Sequence, residues 1–265
     1  MRRRYVDGPY GQIHFRDGGA GRPLVLLHQA PMTSRQFDSV YPLLSARGFR
    51  PLGIDAPGFG LSDGTDFVPR IEDWARVIAP VLEALHLTKV DIVGHHTGAL
   101  VGAAFCVAQP GQVRAFVMHG AVLPTDAERR EAAIRFERDE RHFVYRDDGT
   151  HLVDVFMTRK RLHGSAGDPE LLTRYVVEQF MGTGPFWHGH HAAFEYDLAA
   201  ALPSLPRRTL VVSNTGDVIH DWTLRIRALR PDIRVAILEG GGVDIVDEQP
   251  EAWVSVIAEY LHEEA

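Results

Sequence analysis

Short solid apolar runs alternate with stretches of helical spacing along most of this chain, the pattern of a parallel sheet covered by helices on both faces. Pro23–His28 (PLVLLH) is apolar and ends in polar residues, as a buried parallel strand does. Helical spacing follows near Ser34–Arg47, then a strand at Arg50–Asp55 and an amphipathic helix over Ile71–Leu87. Strand Val90–Gly94 runs into helix Thr97–Ala108, and strand Ala115–His119 comes next. Ahead of these, the polar-alternating segments Arg3–Val6 and Gln12–Arg16 flank Asp7-Gly8-Pro9, which predicts an edge hairpin turning there.

The rhythm breaks over Pro124–Leu202, a stretch helical in pattern and rich in charge and aromatics. Alternation resumes with strand Thr209–Ser213, a helix near Asp221–Leu229, strand Val235–Leu238 and a last helix over Pro250–Glu264. An insertion of this size between two halves of one sheet is most simply a helical cap. The chain therefore predicts a single α/β domain, with its core in residues 1–123 and 203–265 and a cap at about 124–202.

Composition narrows the class. A length of 265 residues suits one such domain, and 45% apolar with 24% charged residues is an ordinary globular balance. With no apolar run of about eighteen residues, no membrane span is expected. The opening MRRRYVDGPYG is basic but lacks the apolar stretch of a secretory signal. One cysteine, Cys106, allows no intrachain disulfide and no cysteine zinc cluster, so a reducing, cytoplasmic setting is the default. A dispersed net charge of −7 argues against nucleic acid as partner, leaving a small-molecule substrate, with the chain a monomer or homodimer. Fourteen histidines, several at strand ends, are what change the picture.

Gly94-His95-His96-Thr97-Gly98 lies between a strand and a helix, the setting of a G-x-nucleophile-x-G elbow. The central residue of such a turn projects from the carboxyl edge of the sheet, where open α/β folds bind ligands. Four further segments keep the matching order: PLVLLHQAPMTS from Pro23, IDAPGFGLSD from Ile54, LVVSNTGDVIHDW from Leu210 and LEGGGVDIVDEQPEAW from Leu238. Over nearly its full length the chain resembles the α/β-hydrolase superfamily. That resemblance implies an oxyanion loop after Leu27, an acid at Asp217 and a general-base histidine at position 243.

The departures from the family pattern carry the chemistry. Position 96 holds His where the family has Ser, Cys or Asp, and position 243 holds Val243. The ordinary Ser-His-Asp mechanism cannot operate on those residues. At the start of a helix the dipole favours a neutral imidazole, a competent base and a possible nucleophile. The far ring nitrogen of His96 reaches roughly 2 Å beyond a serine oxygen, toward the space that Val243 leaves and so toward Asp217. A His96–Asp217 pair is the expected catalytic unit, with Thr97, Ala30 and Gln29 as oxyanion donors. Such a pair suits ester, lactone or C–C bond hydrolysis, and equally proton abstraction beside a carbonyl leading to elimination, isomerisation, cyclisation or decarboxylation. A ligand-binding protein with a silent elbow is the alternative.

Other polar residues divide between pocket and scaffold. His28 and His119 end strands at the same edge and are candidate substrate contacts, His28 also as a brace for the oxyanion loop. His95 is expected in helix packing, His220 facing solvent, and Asp244 in the loop as a simple loop residue or reserve acid. The run Trp187-His188-Gly189-His190-His191 has no cysteine nearby and no H-E-x-x-H pattern. Adjacent helical histidines cannot converge on one ion, so no metal site is expected there. It reads instead as a cap helix facing substrate through Trp187 and His188, with Val243 also lining the pocket. No cofactor is implied.

Overall fold

The computed structural model describes residues 1–164 and 167–263. Glu264, the expected end of the last helix, lies outside them, as do Ser165 and Ala166 of the expected cap and Ala265. Among the described residues eight strands form one sheet: β1 (Arg2–Gly8), β2 (Gly11–Asp17), β3 (Arg22–Leu27), β4 (Phe49–Ile54), β5 (Val90–His95), β6 (Val113–His119), β7 (Thr209–Asn214) and β8 (Arg234–Leu238). Their order is β1-β2-β4-β3-β5-β6-β7-β8. β1 and β2 are antiparallel to each other, β2 is antiparallel to β4, and all pairs from β4 to β8 are parallel.

The helices in the first half are α1 (Tyr41–Ala46), α2 (Ile71–Ala75), α3 (Ile78–Ala84) and α4 (Thr97–Ala108). Between β6 and β7 come α5 (Asp126–Phe136), α6 (Thr150–Leu162), α7 (Pro169–Phe180), α8 (His188–Glu195) and α9 (Leu198–Ala201), a wholly helical insertion among the described residues. The remainder are α10 (His220–Leu224), α11 (Ile226–Leu229), α12 (Ile245–Glu248) and α13 (Pro250–His262). None of the described helices is long and apolar enough to cross a membrane.

Local chemistry explains two differences from expectation. The helix expected over Ile71–Leu87 is two helices, because Pro80 has no N–H for the carbonyl of Arg76; the ladder breaks at Arg76-Val77. Trp74, Ile78, Val81 and Leu82 still share one buried face across the break. The edge hairpin turns at Pro9-Tyr10 rather than through Asp7-Gly8-Pro9. Gly8 pairs with Gly11, and Gly11 takes φ +113°, a conformation that costs glycine little.

The sheet's register sets up the functional edge. Leu27 pairs with Gly94, His95 with His119, and His119 with Val212, so the carboxyl ends of β3, β5, β6 and β7 emerge side by side. This is also where strand order reverses about β3, a point at which open α/β sheets form a crevice. α4 is buried along ten of its twelve residues, which accounts for its apolar character on every side, Cys106 included.

Close packing of β3, β5 and α4 depends on missing side chains. A Cβ on Gly94 would lie 2.2 Å from the Gly98 carbonyl oxygen, and one on Gly98 would lie 2.0 Å from that of Leu27. Both neighbours are backbone and cannot rotate away. Gly98→Ala is therefore expected to destabilise the fold by about 1–3 kcal/mol or more, read as a lower urea midpoint at unchanged m-value. An unaltered midpoint would show that the elbow can relax.

Candidate active site

The elbow holds His96 at φ +49° and ψ −113°, outside the ordinary regions for a non-glycine residue. Its backbone N–H still bonds the His119 carbonyl, at 2.8 Å, and its carbonyl accepts from Ala99, so the turn is pinned on both sides. The side chain leaves the sheet edge and lies across the end of β6. Gly120 makes this possible: with φ +71°, it would carry a Cβ only 2.4 Å from His96 Cδ2.

In that position His96 Nε2 is 2.7 Å from Asp217 Oδ2. Asp217 sits in a tight turn after β7. Its Oδ1 accepts the Ile219 N–H at 3.0 Å, and its own N–H bonds the Asn214 carbonyl. Burial alone would raise the Asp217 carboxyl, but the His96 ring and the Ile219 N–H hold it below its ordinary value. With Nε2 committed to the carboxylate, Nδ1 is the ring nitrogen of His96 without a hydrogen-bond partner among the described residues.

The loop after β3 is braced residue by residue. His28 Nε2 accepts the Ala56 N–H at 3.0 Å, so Nδ1 carries the proton and donates to the Gln29 carbonyl at 2.8 Å. Both ring nitrogens thus serve backbone, and burial lowers the pKa of the ring. His28 is a brace, not a substrate contact. Gln29 departs from its expected role too. Its N–H donates to Gln36 Oε1 at 2.9 Å, and its side-chain amide donates to Asp244 Oδ1 at 3.3 Å. Of the expected oxyanion donors, the Ala30 N–H has no acceptor among the described residues, and Thr97 opens α4, where first-turn amides have none within the helix.

His119 is fully buried and also fails to reach a pocket. It accepts Trp253 Nε1–H at Nδ1, 2.7 Å away, and donates from Nε2 to Asn214 Oδ1 at 3.0 Å. Asn214 in turn donates to the carbonyls of Gly240, Gly241 and Gly242, each at 3.1 Å, fixing the loop that leads to Val243. Burial pushes His119 down to about 4 and His95 well below the usual histidine range. His95, as expected, faces inward. Its Nδ1 accepts from Gln36, and its ring lies between those of His96 and His119, with centroids 4.6 and 4.7 Å away. His220 is half-buried against Ser213 Oγ at 2.9 Å rather than solvent-facing.

Val243 is buried, its N–H bonded to the Leu162 carbonyl at the end of α6. Its neighbour Asp244 is neither a plain loop residue nor a reserve acid. It is the buried hub that receives Arg159 Nη2 and, at 3.3 Å, His163 Nδ1 from the helical insertion, together with Gln29 from the core. Burial would raise Asp244, but Arg159 and His163 hold it below its ordinary value, while the bond to Asp244 raises His163. A second pin joins Glu178 of α7 to the N–H and hydroxyl of Thr33 at 3.2 and 2.9 Å. A third runs from Arg174 and Tyr175 to Asp247, each at 2.6 Å.

The histidine-rich run diverges. Gly189 brings α8 onto the loop after β3, where a Cβ would lie 2.2 Å from that of Ala30. His188 is buried beside it, pushed down to about 4 by burial. His190 stacks on Phe136 and bonds Glu140. Trp187 lines a cleft of about 580 Å³ walled only by insertion residues, with the Arg141 guanidinium 4.9 Å over its ring. Trp187 therefore faces the insertion's own cleft. Among the described residues no three His, Cys, Asp or Glu side chains are placed to hold a metal ion.

Sequence reading missed Gly120, Gln36, Asn214 and the Asp244 cluster. A glycine directly after a strand-ending histidine was the visible sign for the first. Apart from Gln29, 7 positions from Gln36, the partners of the others lie 26 to 215 positions away and leave no local mark.

A model of the α/β-hydrolase fold family matches residues 22–225. A 2-hydroxy-6-oxononadienedioate/2-hydroxy-6-oxononatrienedioate hydrolase of Cupriavidus pinatubonensis is 28% identical over 94% of this chain and 90% of its own length. A 2-hydroxy-6-oxo-2,4-heptadienoate hydrolase of Pseudomonas putida is 35% identical, but the match spans 42% of this chain and only 41% of that relative. An enol-lactonase from Burkholderia xenovorans shares the fold at a TM-score of 0.80, over 98% of this chain and 100% of that one, at 17% identity. The relatives matched include hydrolases, and the family model spans most of the sheet together with its elbow. The chain belongs to the α/β-hydrolase fold family.

Proposed function

We propose that this chain is an enzyme acting on a small carbonyl compound, with His96 as general base and Asp217 as its partner. The observation that carries this reading is the 2.7 Å contact of His96 Nε2 with Asp217 at the elbow, which leaves Nδ1 unpartnered. In the hydrolytic form of the reaction, Nδ1 removes a proton from water as the oxygen bonds the carbonyl carbon. Asp217 steadies the resulting imidazolium through Nε2–H, and the Ala30 and Thr97 amides receive the developing oxyanion. The tetrahedral centre then expels its leaving group, which takes the proton back from Nδ1. Proton abstraction beside the carbonyl uses the same base and the same two amides, with the charge held as an enolate.

The surroundings favour His96 as the proton carrier. His95 and His119 are sealed in the core and bonded to neutral groups, so a charge on either goes unmatched. His96 alone of these three bonds a carboxylate. The helical insertion, held over the edge by its three polar pins and by α8 on Ala30, acts as the cap that limits substrate size. The Cupriavidus relative, aligned along most of its length, makes hydroxy-oxo dienedioates the first compounds to try, with simple esters and lactones beside them.

Turnover of that panel tests the reading directly. His96→Ala is expected to lower kcat/KM by about 10²–10⁴-fold, and Asp217→Asn by a similar order, with little change in KM. His96→Ser should be as inactive as His96→Ala, because Val243 supplies no base to a new hydroxyl. Wild-type turnover equal to that of His96→Ala, or binding without turnover, would replace the enzyme by a binding protein.

The buried imidazoles also predict a pH effect on stability. His119 has a lowered folded-state pKa, so between about 6.5 and about 4 the unfolded chain takes up a proton that the folded chain refuses. Stability is then lost as pH falls through this window, by on the order of 3 kcal/mol from this group at its lower end. Urea titrations at pH 7 and pH 4.5 should show the drop, and His119→Ala should shrink it by the share of this ring while His28, His95 and His188 keep theirs. A flat wild-type profile would contradict the neutral, buried state of this ring.

A further inference from the structure

The loop after β3, residues 28–34, is held from two sides. The core holds its ends. His28 bonds the Ala56 N–H and the Gln29 carbonyl, and buried Asp55 accepts the Ser34 N–H on Oδ1 at 2.7 Å. The helical insertion holds the stretch between. Met32, 1% exposed, clusters with Leu172 and Tyr175 of α7. Thr33 gives both its N–H and its hydroxyl to Glu178 Oε2, also of α7, at 3.2 and 2.9 Å. Gly189 of α8 lies on Ala30, and Gln29 bonds the same Asp244 that receives Arg159 of α6.

A carboxylate is a costly way to make the Thr33 contact. Glu178 is buried, and burial raises its pKa, offset in part by Arg174, whose Nε stands 3.2 Å from Oε1, and by the Thr33 donors. An apolar side chain would attach α7 without that cost, but it would not orient what it touches. The carboxylate does. One oxygen fixes the N–H and the O–H of a single residue, and the Thr33 hydroxyl accepts the Arg35 N–H at 3.1 Å, so it has no freedom left. The position of Thr33 is passed back to Ala30 through a closed four-residue turn, because the Met32 N–H bonds the Gln29 carbonyl at 2.9 Å.

We infer that Glu178 is a positioning residue for the oxyanion hole: by gripping Thr33 from the insertion, it sets the direction of the Ala30 N–H. This rests on the proposed reaction, in which that amide receives the developing oxyanion. Docking of α7 and assembly of the donor pair are then one event. Activity depends on a residue that acts only through Thr33, since a donor misplaced by an ångström loses much of its effect.

Two measurements on the full chain test this, at a temperature where circular dichroism shows each variant folded. Hydrogen exchange reads the loop without substrate. Glu178→Ala is expected to speed exchange of the Met32 and Thr33 amides by ~10-fold or more, whereas Glu178→Gln, whose amide oxygen accepts the same two donors, stays near wild type. Turnover of the dienedioate and ester panel reads the consequence. Glu178→Ala should lose ~10–10²-fold in kcat with KM changed less than ~3-fold, and Glu178→Gln should return to within ~3-fold of wild type. As a control, Arg225→Gln breaks a different ion pair of the insertion, with Glu128 of α5 at 2.5 and 2.8 Å, and should leave both readouts as in wild type. Thr33→Val, with Thr33→Ser as the restoring variant, replaces a Glu178→Ala that does not fold.

Unchanged exchange in Glu178→Ala overturns the proposal, and so does faster exchange with unchanged kcat. A Glu178→Gln as impaired as Glu178→Ala, or an Arg225→Gln that loses as much, would reduce the effect to general attachment and overturn it as well. Wild-type turnover no greater than that of His96→Ala removes the reaction and the oxyanion role together. That failure is told apart from a failed grip by Thr33 exchange that still quickens in Glu178→Ala.

Discussion

Two backbone segments that touch without side chains between them position everything at the functional edge. Gly94 and Gly98 let β5, α4 and β3 close to a distance that a single Cβ would forbid. That closure forces the residue between them into a left-handed turn and throws its side chain clear of the sheet. Whatever occupies position 96 is presented in this way. The imidazole that does so here then needs room along its length, and Gly120 supplies it at the end of the neighbouring strand. The contact with Asp217 follows from these three glycines and from the turn that holds the carboxylate after β7.

Around that contact, the protein separates its histidines by environment. His28 is spent on bracing the loop after β3, and His119 on joining Trp253 to Asn214. His95 lies sealed beneath the elbow. Each of these rings is driven toward neutrality by burial. His96 differs because one nitrogen faces a carboxylate and the other has no protein partner. Similar side chains a few ångströms apart therefore have different electrostatic roles.

The helical insertion meets the core through apolar packing, as of Phe194 and Leu198, and through polar pins. Arg159 and His163 converge on Asp244, Glu178 reaches Thr33, and Arg174 with Tyr175 reaches Asp247. Buried ionic contacts of this kind contribute little net stability against an apolar alternative, but they are directional, and removing one partner leaves a charge uncompensated. They fix where the insertion sits. One of them joins the residue next to Val243, so the loop after β8 is tied to the insertion.

Much of this was written in the order of residues. Period-two and period-3.6 patterning marked the strands and long helices, because burial of one face constrains every residue of an element. The elbow could be read from spacing, since a strand-turn-helix junction imposes local rules on glycines and on the residue between them, while Asp217 was implied by resemblance to the family and meets His96 in the structure. Pro80 could have warned of the split between α2 and α3. Tertiary structure alone decided which nitrogen of His96 meets Asp217, that Gln29 turns its amide to Asp244, that His28 and His119 are scaffold, and that Asp244 is a hub. Those outcomes depend on side chains far apart in the chain competing for the same few donors and acceptors. A linear pattern records which side chains are available to compete, but three-dimensional packing selects the pairs.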